Sequence, residues 1–338
     1  MILLRKKSFI TSWGEIKLPS LFVKSGKNIN KQALKQIGTL AFLVIVCIIF
    51  SILSPQFLEA NNLSNIAVSA CVNAVIAVGM TLVIITAGID LSVGSVLAMA
   101  SVVMATFMKS GMPVFFAVLL ALFVGCFLGI VNGALIAYAE LQPFLVTLGT
   151  MSLIRGFALI YTNGEPITDL PSNFRSSIAG NAASFPIPIL IALVFAVIGH
   201  IILQHTRTGE YIFSIGGNET ATRFSGINVN KYKIITYALS GIAAALAGII
   251  LAARLGAAEP TAGQNYETNA IAAAAIGGAS LSGGKGSILG TIIGALILSA
   301  LTNGLTLLNV QSFWQQVATG AIIIIAVMVD KIGDNKKI

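Results

Sequence analysis

The sequence predicts an all-α, polytopic membrane protein of about ten transmembrane helices, with both termini on the cytoplasmic side. Three observations carry that expectation. Of 338 residues, 56% are hydrophobic and 9% charged, against roughly a quarter charged in globular domains, and no soluble core hides that much apolar surface. The apolar residues fall in runs of membrane-crossing length. The 20 Lys and Arg, which leave a net charge of +8, gather in a few polar stretches between those runs, as cytoplasmic loops require.

A spanning helix needs roughly 20 predominantly apolar residues. The first run, 37–53, follows a long basic extension at residues 1–36 that lacks the build of a cleavable signal, so the run is expected to remain as an anchor. Residues 65–89 and 91–108 carry no charge on either side of Asp90; as one helix they would overshoot the bilayer by about a factor of two. The chain must reverse there, and Thr86-Ala87-Gly88 is the natural place. Residues 110–139 give a fourth span, 141–161 a fifth interrupted by Arg155, and 186–204 a sixth after a polar loop at 162–185. Polar residues 207–233 lead into a seventh at 234–253, and 268–284, rich in Ala and Gly, reads as an eighth helix buried among others, where small residues permit close approach. Residues 286–329 contain no ionisable side chain and again measure about two crossings, so they fold back near Asn309-Val310-Gln311.

Cation placement sets the orientation. Arg5, Lys6, Lys7, Lys17, Lys24, Lys27, Lys31 and Lys35 precede the first span; Arg207, Arg223, Lys231 and Lys233 fill the stretch after the sixth; Lys331, Lys336 and Lys337 follow the last. An even number of crossings puts all three groups on one face. Three regions follow: a cytoplasmic extension 1–36, a transmembrane domain 37–330 with a cytoplasmic loop at 207–233, and a tail 331–338. The positive charge is topological and calls for no nucleic-acid partner.

Chemistry within the membrane looks sparse. Cys47, Cys71 and Cys126 each sit in an apolar run without a CxxC pair, and His200 and His205, the only histidines, bracket the end of one span. A metal site or a His-dependent triad is therefore not expected. Gly283-Gly284-Lys285-Gly286-Ser287 lacks the spacing of a phosphate-binding loop, because Ala279 and Gly286 stand where Gly and a hydroxyl residue belong. No cofactor is expected in this chain. Asp90 and Arg155 are the intramembrane ionisable residues that this reading finds, too few for a catalytic cluster and weak support for ion coupling. If transport is active, its energy is expected to come from another chain.

Two constellations stand out. In the loop, Gly217 punctuates the start of a short helix that Asn218 caps, Glu219 sits at its positive end, and Gly226 ends it in a left-handed conformation. Such a helix through Ala221 would lie along the membrane and offer Phe224 and Ile227 with Arg223 beside them, a surface for docking a cytoplasmic motor; a solvated connector is the plain alternative. Gly88-Ile89-Asp90-Leu91-Ser92-Val93-Gly94-Ser95 places a carboxylate and two hydroxyls in a glycine-rich break, which at membrane depth needs protein or a water-filled cavity around it. Residues 278–283 echo its Gly-x-x-Leu-Ser order. Asn73, Asn132, Asn269 and Asn303 are uncharged polar residues within spans, suited to bonding neighbouring helices or a hydroxylated substrate, and join Asp90 and Ser92 as candidates for lining a path.

Taken together, residues 78–95, 216–227 and 260–263 through 275–290 closely resemble the permease subunit of bacterial sugar ABC importers, over about residues 40–330. The resemblance implies ten helices in the arrangement of the cobalamin-importer type, in the bacterial inner membrane. It implies partners: a second permease copy across a two-fold axis, ATP-binding cassette ATPases below and a periplasmic sugar-binding protein above. It makes 216–227 the coupling helix. Relatives carry ribose, galactose, arabinose, xylose, allose or autoinducer-2, with specificity lying mainly in the binding protein; ribose is the leading expectation, and an ion-coupled sugar carrier the alternative. The permease itself would catalyse no covalent reaction. The basic extension looks longer than the family usually shows.

Overall fold

The computed structural model describes residues 31–183 and 185–335. Most of the basic extension and the last three residues, with Lys336 and Lys337, lie outside the described residues. Apart from a hairpin of two two-residue strands, β1 (Asn181–Ala182) and β2 (Phe185–Pro186), the regular structure is helical. Seven helices are long and apolar enough to cross a membrane: α1 (Lys31–Leu53), α2 (Ala60–Ile85), α4 (Val114–Tyr138), α5 (Pro143–Thr162), α7 (Ile187–His205), α10 (Val229–Leu255) and α12 (Ile288–Leu307). Among them run α3 (Val93–Lys109), shorter but apolar, α6 (Ser172–Ala179), α8 (Arg207–Gly217), α9 (Glu219–Phe224), α11 (Tyr266–Ile276) and α13 (Ser312–Asn335).

The chain reverses where length demanded it. α2 stops at Ile85, Ala87 takes φ 60°, and α3 starts at Val93. Likewise α12 ends at Leu307, Asn309 takes φ 56°, and α13 begins at Ser312. The apolar stretch of α2 is 83% buried within the protein and that of α1 only 11%, so α2 forms the centre, with α10, while α1 presents its side chains to lipid. α4 and α10 lie backbone to backbone. Gly125, Gly129 and Gly133 recur every fourth residue, and a Cβ on Gly129 would stand 2.2 Å from the Tyr237 carbonyl oxygen. This small-xxx-small spacing permits the close crossing that polar-poor membrane helices rely on.

Three expectations need correction. The stretch 162–185 is not merely a polar loop: α6 buries Phe174 completely, and Ile167 exchanges backbone hydrogen bonds of 2.9 Å with Ala258. The polar stretch 207–233 holds a further helix, α8, before the short one expected from Asn218, and α10 starts earlier than 234 because Asn228 caps it, its Oδ1 accepting from the Lys231 N–H at 3.1 Å. The eighth helix ends at Ile276 rather than 284. Gly277-Gly278 and Gly283-Gly284 break it, with φ of 88°, 86° and 71° at Gly278, Gly283 and Gly284. The 11 residues of α11 rise only about 16 Å, half of a hydrocarbon core of about 30 Å.

Candidate translocation and coupling sites

The break between α2 and α3 is closed by side chains from α4, α5 and α10. Asp90 Oδ1 accepts from the Ser92 N–H at 3.0 Å and from Ser92 Oγ at 2.6 Å, while Oδ2 accepts from Ser240 Oγ of α10 at 2.8 Å. Asn132 Nδ2 of α4 donates to Ser92 Oγ at 2.8 Å. The Ile89 carbonyl accepts from Tyr237 Oη at 3.3 Å and Thr147 Oγ1 at 3.2 Å. Asp90, Ser92, Ser240 and Asn132 are all buried, and none of the ion pairs among the described residues involves Asp90. Backbone groups that a helix would have satisfied are met by neighbours, which makes irregular backbone tolerable at this depth.

The remaining asparagines part company. Asn303 and Asn62 exchange amide hydrogen bonds of 3.0 and 2.9 Å and so join α12 to α2. Asn73 is half-buried on α2, its Oδ1 without a partner among the described residues. Asn269 lines a cavity.

That cavity belongs to a re-entrant segment that sequence reasoning did not find. From the end of α10 the chain turns at Gly256, where φ is 71°, pairs Ala258 with Ile167, and then runs inward. Arg155 Nη1 donates to the carbonyls of Pro260 at 2.5 Å and Ala262 at 2.7 Å. Arg155 lies 12 residues into α5, about 18 Å along it, so the segment reaches the middle of the membrane. There Gly263 meets Gly94 of α3 so closely that a Cβ on Gly94 would stand 2.2 Å from the Gly263 carbonyl oxygen. α11 therefore starts at mid-depth, and its first turn carries Glu267. Discontinuous helices that begin at the midplane are where transporters commonly build substrate paths.

Two cavities flank this turn. One, of about 480 Å³, lies against α3 and α5 and is lined by Ser95, Ser152, Arg155, Gln264, Asn265 and Glu267 among others. The other, of about 420 Å³, lies against α12 and α13 and includes Asn269. Glu267 is a third ionisable group at membrane depth. The sequence reading passed over it because it precedes the apolar part of its helix, although the polar run Gln264-Asn265-Tyr266-Glu267 was a visible signal.

In the polar stretch after α7 the short helix expected from Asn218 is α9. Asn218 Oδ1 accepts from the Ala221 N–H at 2.9 Å, and Gly226 takes φ 82°. Glu219 sits between Lys233, 2.8 Å from Oε2, and Arg223, 3.2 Å from Oε1. Burial pushes its carboxyl up, but the hydrogen bond and charge of Lys233, then those of Arg223, outweigh this and hold it below the usual carboxylate range. Phe224 is 88% exposed, a large apolar ring displayed beyond the fold.

α8 carries this helix onto the breaks. Gly216 presses against the end of α2, where an added Cβ would lie 1.7 Å from the Ile85 carbonyl oxygen and 2.5 Å from the Gly284 nitrogen. The Gly284 N–H itself donates to the Ile85 carbonyl at 2.9 Å. One joint thus gathers α8, the α2–α3 break and the α11–α12 break, and glycine lets the backbones meet. Gly217, named from the sequence, shares the approach through its backbone, since a Cβ on Gly284 would stand 3.2 Å from the Gly217 Cα, while a Cβ on Gly217 itself would meet open space.

Residues 62–327 match the family model described as the permease component of the branched-chain amino acid transport system. The chain is 44% identical over 319 residues to the ribose import permease protein RbsC of Haemophilus influenzae, covering 93% of this chain and 98% of the relative. It is 48% identical over 308 residues to RbsC of Escherichia coli K12, covering 90% and 94%, and 45% identical over 300 residues to RbsC of Bacillus subtilis, covering 88% and 93%. No solved structure matches the chain. With the family model spanning most of the sequence and three relatives at 44–48% identity nearly end to end, the chain belongs to this family of transport-system permease components.

Proposed function

We propose that this chain is the multi-pass inner-membrane permease of an ATP-driven importer for a monosaccharide, ribose, coupled through α9 to ATPase subunits and supplied by a periplasmic binding protein. The observation that carries the reading is the α8–α9 unit, a capped short helix displaying Phe224 and seated through Gly216 on both helix breaks. The name and near full-length identity of the ribose import permeases support the substrate. In this reading α3, α11 and α13 complete ten membrane-inserted helices, both termini are cytoplasmic, and two copies pair. ATP binding moves α9, the glycine joint passes the movement to the two breaks, and the path opens alternately to either side. The chain itself makes and breaks no covalent bond.

Reconstitution in liposomes with the ATPase and binding protein tests this. ATP-dependent ribose accumulation is expected; uptake that persists without ATP and follows an ion gradient would establish a secondary carrier instead.

A further inference from the structure

We infer that the cavity between α11, α12 and α13 is a subsite of the permease itself for an uncharged monosaccharide, an assignment that rests on the sugar-importer reading above. Its position, lining and contrast with the other cavities all point there. Ser312, Gln315, Gln316, Thr319 and Gly320 of α13 line it, and their i, i+3, i+4, i+7, i+8 spacing puts them on one helical face. The opposite side of the same helix shows Phe313, Trp314 and Val317, each at least 60% exposed, as a lipid-facing surface should. A stripe of amides and hydroxyls about 12 Å long cannot face hydrocarbon without cost, so it must border water or a polar ligand. Thr268 and Asn269 of α11 and Thr302 of α12 complete the wall. The cavity therefore extends from the α12–α13 turn to the mid-membrane start of α11.

The lining defines the ligand class. Among the described residues it holds Ser, Thr, Asn, Gln and one Gly, with no charged side chain and no aromatic ring. Amides and hydroxyls both donate and accept, as sugar hydroxyls do. A phosphorylated sugar or an amine would find no counter-charge there. The volume of about 420 Å³ lies within the roughly 300–1,000 Å³ typical of ligand pockets. Without an aromatic platform the sugar is held by hydrogen bonds alone, which suits a site that must release its cargo inward. By contrast, the cavity beside α7 is lined by Leu190, Ile191, Val194, Phe195, Ile198 and Leu246, an apolar surface suited to lipid tails.

The test uses the complete importer in liposomes. Wild type must first show ATP-driven ribose uptake; if it does not, the importer reading fails before the subsite is tested. Thr302→Val and Gln316→Leu each remove hydrogen-bonding groups from the wall, so initial uptake should fall roughly tenfold while ATP hydrolysis stimulated by the binding protein persists. Val194→Ala, in the apolar cavity, should leave uptake unchanged. Where a variant assembles poorly, Gln316→Cys in a background without the native cysteines gives a second readout: a charged, membrane-impermeant thiol reagent should modify it, and ribose should protect it. Wild-type uptake by both polar variants overturns the proposal, as does a cysteine that the reagent cannot reach or that ribose does not protect.

Discussion

At Asp90 a carboxylate with no cation partner among the described residues accepts three hydrogen bonds in full burial. Asp90→Ala strips partners from Ser92 and Ser240, and each buried polar group left unsatisfied costs about 1–3 kcal/mol. Asp90→Asn keeps an oxygen for Ser92 and turns its amide toward Ser240, whose hydroxyl then accepts. Thermal unfolding in detergent should therefore show a clear loss for the alanine variant and a small one for asparagine; equal losses would mean that the charge itself matters. Glu219 supplies a pH prediction. Its folded-state value is depressed by Lys233 and Arg223, so the stability it contributes is complete above the ordinary Glu value of about 4.3 and fades as pH falls through the lower folded value. Hydrogen exchange of the α9 amides should be equally protected at pH 8 and pH 5, accelerate only below about pH 4, and lose that acid step in Glu219→Gln.

At the level of elements, α8 brings α9 to a joint where the two breaks meet. Gly216→Ala forces a methyl into the Ile85 carbonyl, so the joint must open. ATP hydrolysis is expected to continue while ribose uptake drops at least tenfold, and normal uptake by that variant would show that the joint transmits nothing. Arg223→Glu and Phe224→Ala act on the other side of α9. They should weaken stimulation of the ATPase with insertion intact, because both side chains are exposed and their loss leaves no cavity. Much of this element was legible in the residues: Asn218, Glu219 and Gly226 specify the start and end of α9 locally, within one or two turns of chain. The joint was not, because Gly216, Ile85 and Gly284 lie far apart in sequence and a glycine announces tolerance of close approach without naming its partner. The same holds for Arg155. Its place midway along α5 was countable, whereas its bonds to Pro260 and Ala262 depend on a segment that the apolar pattern could not fold inward.

For the whole molecule, the prediction concerns sidedness. Cysteines placed at Phe224, 88% exposed, and at Asn309, exposed in the turn between α12 and α13, in a background without native cysteines, should react with an impermeant reagent from opposite sides of the membrane, Phe224→Cys from the cytoplasm. Labelling from one side would require an even number of crossings between them and would overturn the ten-helix arrangement. Sequence by itself determined that the chain lives in a membrane, where it reverses and which loop bears the cations, because hydrophobic length and charge are local quantities that the bilayer reads directly. It also named α9 from its caps. Tertiary structure alone decided that Asp90, Ser92 and Asn132 close a break together, that Asn303 binds Asn62, and that α11 is a half-length helix starting at mid-membrane. Those outcomes depend on which helices approach one another, and in a chain where glycine and alanine let almost any pair approach closely, only the folded packing chooses among them.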